Sequence, residues 1–338
     1  MVTVKDIANK LGVSPSTITR ALADSTRIST RTKTLVRRTA AEMGYVADTA
    51  ARTMRSREST LIGLLIPDIE NSFYAQIAKA FSDVCNAKGF QLTLAVSDDD
   101  ASIEERHVRA LVSARCAGIA IVPTASLSTQ SAALLSSRNA AQLIRRNSAL
   151  NLDWFGINDV EALRSATDRL LDLGHRRIGL LCGEAQLNSA RDRYQGYRAA
   201  LCERAAPFDP ALVMRGPPRA SFAQRAANKL KSAATPPSAI IAAGAGLSEG
   251  MLNAAASWST AEQEAISLVG YCDCSAFRWW GESGLTAIDL PVRQIAGDLC
   301  SALIQRAQAK SEEPRRLEDH LYGSRLVLRG SLRFANPS

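Results

Sequence analysis

The chain opens on two short stretches whose apolar residues recur at helical spacing. Ile7 and Leu11 lie four apart, as do Ile18 and Leu22, so each pair shares one helix face. Gly12 supplies a turn between them. Ser14-Pro15 then reads as an N-cap followed by a first helical position. The pattern predicts a helix, a tight turn and a second helix, the geometry of a helix-turn-helix whose second helix enters a DNA major groove. Ser29-Thr30 caps a third predicted helix that runs to Met43, with Gly44 as its stop. Residues 45–60 are polar and rich in Ala and Arg. They have no apolar face wide enough to pack and read as a linker with weak helical preference around Thr49–Arg55.

From Leu61 the pattern changes. Leu61–Ile66 is a continuous apolar run ended by Pro67, as a strand buried on both faces would be. Further strand-like runs fall at Gln91–Ala95, Ile119–Val122, Trp154–Ile157, Ile178–Leu181, Ala239–Ala243, Ile266–Tyr271 and Thr286–Leu290. Helical stretches fall at Phe73–Lys88, Ile103–Ala114, Glu161–Leu173, Ser189–Arg204 and Val292–Ala309. Alternating strands and helices predict parallel sheets covered on both faces. The 278 residues beyond position 60 exceed one such sheet, so two lobes are expected. Positions 123–150 give no clear element.

Charge sharpens this division. Residues 1–60 carry eleven Lys or Arg against five Asp or Glu, which accounts for six of the net +8. A basic end on a nearly neutral body points to a polyanion partner for that end alone. The seven cysteines are scattered and form no Cys-x-x-Cys, which argues against structural zinc or a disulfide frame and for a reducing cytoplasm. Cys272-Asp273-Cys274 lacks the further ligands that tetrahedral zinc needs. The start of the chain has no apolar signal segment, and no apolar run approaches the length of a membrane span.

Three blocks of residues carry a family resemblance. One is Val4-Lys5-Asp6-Ile7-Ala8 through Gly12-Val13-Ser14 to Thr17-Ile18-Thr19-Arg20. The next is Gly44-Tyr45, Ala50-Ala51-Arg52-Thr53-Met54, Ile62-Gly63 and Pro67-Asp68 with Asn71-Ser72-Phe73-Tyr74. The last is Gly174-His175-Arg176-Arg177-Ile178-Gly179, Ala190-Arg191-Asp192-Arg193-Tyr194-Gln195-Gly196-Tyr197 and Val269-Gly270-Tyr271. In this order and spacing the chain resembles the LacI/GalR family of bacterial transcription regulators over nearly its whole length. The resemblance implies an all-α helix-turn-helix head at 1–46 and a hinge helix with linker at 47–60. It also implies an α/β body at 61–338 with two Rossmann-like lobes of periplasmic-binding-protein type. The expected N-lobe covers about 61–157 plus 291–315, and the C-lobe about 158–290 plus 316–334. The implied protein is a cytoplasmic homodimer that binds a palindromic double-stranded operator, a repressor in the usual mode, with a small-molecule effector between the lobes. No membrane partner and no cofactor are expected.

By position on the family's recognition helix, Pro15, Ser16 and Arg20 face base edges, with Ser14 and Thr17 nearer phosphates. Arg20 is the most informative, because Arg pairs bidentately with guanine. Arg27, Arg31 and Lys33 read as phosphate anchors. Ala51, Met54 and Arg55 belong to the hinge. Met54 stands where the family usually places leucine, as a softer wedge between base steps. Ala47 and Asp48 replace the usual proline and asparagine, and the Asp48 charge is unwelcome near phosphates.

The cleft departs from the sugar-binding pattern. Arg145 stands where the family usually has aspartate, Gly244-Ala245 replaces Asn-Asp, and Cys272 replaces the first of two acids, leaving Asp273. Phe73 and Tyr74 remain as an aromatic wall, with Ser189 and with Arg193, which matches the family's effector-contacting arginine. Arg145 and Arg193 offer donors and positive charge, and Gly244-Ala245-Gly246 opens a helix whose amides favour an anion. These residues point to a carboxylate or phosphate on the effector, such as a sugar acid or sugar phosphate. The alternative is that Arg145 pairs with a carboxylate of the protein itself and the cleft no longer binds a ligand.

Two enzyme-like signals also stand in the sequence. Gly246-Leu247-Ser248-Glu249-Gly250 matches the Gly-x-Ser-x-Gly elbow of α/β-hydrolases, with His320 and Asp289 or Asp298 downstream as triad partners. The same glycines match a dinucleotide loop only loosely. Asp98-Asp99-Asp100 and Glu104-Glu105 suit the exposed start of a helix better than a cation site.

Overall fold

The computed structural model describes residues 2–45, 59–281, 284–309 and 317–335. The chain divides into two compact units, Met1–Ser59 and Thr60–Ser338. The first holds α1 (Val4–Leu11), α2 (Pro15–Leu22) and α3 (Thr30–Glu42). Each helix begins at a side-chain cap. Thr3 Oγ1 accepts the Asp6 amide at 3.4 Å while the Asp6 carboxylate accepts the Thr3 amide at 2.8 Å, closing a capping box. Ser14 and Ser29 accept the Thr17 and Thr32 amides at 3.2 and 3.3 Å. α1 ends at Gly12, whose φ of +65° would cost a side-chain-bearing residue roughly 1–2 kcal/mol. Helices this short are marginal alone. Ile7 and Ile18, fully buried among Ala8, Ala21, Val36 and Ala40, hold them together, and each isoleucine contributes about 1.5–3 kcal/mol of burial. The hinge residues Ala47, Asp48, Ala51, Met54 and Arg55 lie outside the described residues.

The second unit contains strands β1 (Leu61–Ile66), β2 (Gln91–Val96), β3 (Gly118–Ile121), β4 (Ala140–Leu143), β5 (Asp153–Ile157) and β6 (Ile178–Cys182). They are followed by β7 (Val213–Arg215), β8 (Ala239–Ala242), β9 (Ser267–Tyr271), β10 (Thr286–Asp289), β11 (Asp319–Tyr322) and β12 (Arg325–Val327). Its helices are α4 (Ser72–Ala87), α5 (Ala101–Ser113), α6 (Thr129–Ser136), α7 (Asp159–Asp172), α8 (Asn188–Glu203), α9 (Ala220–Lys231), α10 (Ala245–Ala255), α11 (Thr260–Ala265), α12 (Ser275–Arg278) and α13 (Val292–Gln308). Two six-stranded sheets result, ordered β11-β5-β4-β3-β1-β2 and β12-β10-β9-β8-β6-β7. The ladders are parallel, except that β12 runs antiparallel to β10. The central strands β1, β3, β8 and β9 are buried almost throughout, as expected when helices cover both faces.

The chain crosses between the lobes after β5, after β10 and after β11. The last crossing corrects the sequence-based boundary. β11 pairs with β5 in the first sheet, so the N-lobe keeps the chain through Tyr322, where the sequence reading passes it to the C-lobe from 316. Asp319-His320-Leu321-Tyr322 alternates as an edge strand does, and alternation does not tell which sheet receives it. Positions 123–150, unassigned from sequence, hold α6 and β4.

Candidate functional site

On the head, Ser14, Pro15, Ser16 and Arg20 are exposed along α2 and its cap, and Thr17 is half-buried. Ser14 Oγ lies 2.9 Å from both Ser16 Oγ and Thr17 Oγ1, so three hydroxyls cluster at the helix start. Arg20, Arg27 and Arg31 are exposed, and among the described residues no carboxylate meets them. Lys33 is held in an ion pair on the head. Its ammonium sits 3.1 Å from the Asp24 carboxylate, which also takes Arg37 at 3.0 Å. The Lys33 hydrogen bond and charge hold the Asp24 carboxyl below its usual range.

The lobes meet at a cavity lined from both sides. The N-lobe contributes Asp68, Asn71, Phe73, Tyr74, Asp99 and Arg145, and the C-lobe Ser189, Arg193, Arg219, Gly244, Ala245 and Tyr271. Polar contacts hold the lobes at this spacing. The Arg146 amide donates to Asn188 Oδ1 at 2.8 Å, and Arg219 Nη2 donates to the Asp98 carbonyl at 3.2 Å.

Strand ends aim the charged residues. Ile144 follows β4 with φ +61°, a region that β-branched residues rarely adopt. The turn there sends Arg145 into the cleft, where it is 4% exposed. Arg145 grips the Asp99 carboxylate with both terminal nitrogens, the second contact at 3.1 Å. Arg193, on α8, donates through Nε to Asp159 at 3.0 Å and through Nη1 to the Ala243 carbonyl at 3.0 Å. Its guanidinium lies 4.1 Å from the Tyr271 ring centre, and the Tyr271 hydroxyl donates to the same Asp159 carboxylate. Burial opposes the Arg193 charge, but Asp159 and Tyr271 overcome it and hold its pKa above the ordinary value. Burial raises the Tyr271 and Tyr74 hydroxyls. Phe73 and Tyr74 meet edge to face, with ring centres 5.1 Å apart.

Phe73, Tyr74, Arg145, Ser189, Arg193, Gly244 and Ala245 thus come together as the sequence suggests, and Cys272 and Asp273 do not. Cys272 takes φ +67° at the end of β9 and is 1% exposed, and burial pushes its thiol up to about 12. The turn carries Asp273 to Arg329, which holds it bidentately at 2.7 and 2.6 Å. The sequence reading also missed the acids. Asp99 and Asp159 take up the charges of Arg145 and Arg193, while Asp68 and Arg219 line the cleft without an ion pair between them, so most of the positive surplus expected of the cleft is offset. Asp99 lies in the acidic stretch expected only to start a helix, and its contact is the one the alternative reading expects, Arg145 paired with a carboxylate of the protein itself.

Ser248 is no nucleophile. It is fully buried; its Oγ donates to the Gly244 carbonyl at 2.9 Å and accepts the Tyr271 amide at 2.8 Å. His320 lies in the other lobe's sheet, stacked 4.1 Å from Phe155. The glycines of that motif serve packing: a Cβ at Gly250 would lie 2.1 Å from the Ala220 carbonyl, where α10 crosses α9. The acidic stretch caps and pairs. Asp100 accepts the Ser102 and Ile103 amides at 2.7 and 3.0 Å, and Glu105 takes Arg109 at 2.8 Å.

Comparison with known proteins places both units. Residues 3–48 match the bacterial regulatory proteins of the lacI family, and residues 59–322 match the periplasmic binding proteins and sugar binding domain of that family. The repressor PurR of Pasteurella multocida is 26% identical, over 98% of this chain and 99% of its own. The ribose operon repressor of Haemophilus influenzae is 25% identical, over 94% and 95%. Among solved structures, the lac repressor dimer bound to operator and the anti-inducer ONPF superposes with TM-score 0.80 at 22% identity, covering 97% of this chain and 98% of that one. The complex of the regulator CelR with cellobiose gives 0.70 at 23%, over 98% and 100%.

Proposed function

This chain belongs to the LacI family of bacterial regulatory proteins, and from that premise we propose that it is a cytoplasmic, homodimeric repressor. It binds a palindromic operator and takes a small-molecule effector between its lobes. The family consists of DNA-binding regulators, not enzymes, and no described helix is long and apolar enough to cross a membrane. One observation carries the reading. A capped helix-turn-helix presents Arg20 on its second helix and Arg27 and Arg31 nearby, exposed and without carboxylate partners among the described residues. Arg20, with Ser16 and Pro15, reads bases; Ser14, Thr17, Arg27 and Arg31 hold phosphates; Ala51, Met54 and Arg55 enter the minor groove between two heads. Two heads on successive major grooves require two-fold related half-sites, and the operator-bound dimer of the lac repressor supports that arrangement.

For the cleft, the pairing of Arg145 with Asp99 and of Arg193 with Asp159 favours a ligand body without net charge. Arg–Asp pairs offer adjacent donors and acceptors to hydroxyls, and Phe73, Tyr74 and Tyr271 supply apolar faces, so Arg145, Ser189, Arg193, Gly244 and Ala245 form a polyhydroxyl site. Selection of binding sites from a random duplex pool, with sedimentation of the selected complex, tests the reading. An enriched inverted repeat bound by two chains is the expected result; a monomer on sequences without symmetry would refute it.

A further inference from the structure

Beside the cleft, and sharing Arg145 and Leu187 with it, lies a second groove between the lobes. The groove is more open to solvent than the cleft. Its lining includes Arg145, Arg146 and Arg191, with Asn147, Ser148 and Asn188, and no Asp or Glu among the described residues. Arg191 is the informative residue. Its Nη1 donates to the Ala185 and Gln186 carbonyls at 3.2 and 3.0 Å. Two neutral acceptors fix the guanidinium, and among the described residues it makes no ion pair within 4 Å, although its charge is felt by the neighbouring Asp192 carboxyl. Arg146 comes from the other lobe, its guanidinium 5.4 Å from the Trp154 ring centre. That indole is anchored by its own donation to the Ile144 carbonyl at 3.1 Å. Arg146 does pair with Asp319 at 2.6 Å, but both side chains are about half exposed, and such pairs hold weakly in water.

We infer that this groove is a subsite for an oxyanion, a phosphate or carboxylate, carried by the molecule whose body occupies the adjoining cleft. Planar guanidiniums match such groups in a bidentate way. The anion then lies at Arg146 and Arg191, outside the balanced pairs of Arg145 and Arg193. Because Arg146 belongs to the N-lobe and Arg191 to the C-lobe, a bound oxyanion would bridge the lobes. The inference rests on the cleft being a ligand site.

Calorimetric titration of the full chain with neutral sugars and their phosphate esters tests it, with inorganic phosphate as the probe for a free ion. The esters should bind at least about tenfold more tightly than their parent sugars, the ratio one charge-assisted contact is worth. Arg191→Gln and Arg146→Gln should each shrink that ratio and the double variant should remove it. Arg164→Gln, on α7 in an exposed cluster with Glu161 and Glu203, should change nothing. If inorganic phosphate alone raises the melting temperature of the wild type and not of the double variant, the subsite serves a free ion as well. Esters that bind no better than their parents, or an advantage that survives the double variant, would overturn the inference. Failure of the repressor reading is separately visible, as loss of sequence-selective DNA binding by the unmodified chain.

Discussion

The head and the cleft both display arginines, but they use them in opposite ways. On the head, Arg20, Arg27 and Arg31 stand exposed without carboxylates among the described residues. In the cleft, Arg145 and Arg193 are buried and each holds an aspartate. An unpaired surface cation keeps its charge for an outside partner, and a row of them suits a polyanion. A buried pair has spent its charge inside the protein and presents only directed hydrogen bonds. The same residue type is therefore left open to a polyanion in one unit and held in ion pairs in the other, and the partner decides which.

Breaking a cleft pair should have the largest effect. Arg193→Ala leaves Asp159 buried with only the Tyr271 hydroxyl, and the body should lose about 3–5 kcal/mol, read by urea denaturation through the tryptophan signal. A loss under 1 kcal/mol would mean the pair is solvated. Breaking a head cation should act on DNA instead. Arg31→Ala should weaken all sequences about equally and lower the salt slope of binding by about one, while the urea midpoint stays in place; an unchanged slope would remove Arg31 from the phosphate contacts.

The smallest effect concerns a buried group outside both sites. His175 contacts Ser238 at 2.8 Å, Ser267 at 3.1 Å and the Arg333 carbonyl at 3.0 Å, and burial lowers its pKa from 6.5. The unfolded chain then takes up the proton first. Stability should be complete above about pH 6.5 and fall as pH drops below it. His175→Gln should flatten that part of the profile, and a variant with the wild-type slope would assign the dependence elsewhere.

The two regions also differed in how far sequence could reach. The head was legible because its signals are local: Ser14, Ser29 and Gly12 each act within a few residues. The strand cores were legible too, and Leu61–Ile66 appears as read. α9 was not seen, since its buried face is Ala223, Ala226, Ala227 and Leu230, and small residues make a faint stripe. The cleft was half legible. Aromatics and arginines could be placed, but Arg145 meets Asp99 across 46 positions and Arg193 meets Asp159 across 34, and spacing does not reveal such pairings. Asp273 failed for the same reason, claimed by Arg329 from 56 positions away.

Reading of a specific operator by the exposed arginines of the head is the proposal on which the rest depends. It is tested most directly by the ratio of affinities for the selected operator and for random duplex at one salt concentration, in the wild type and in Arg20→Ala. Arg20→Ala should cost about 1–3 kcal/mol on the operator and much less on random DNA, and should relax the preference at one base pair in each half-site. Equal losses on both duplexes, with every base preference intact, would contradict it.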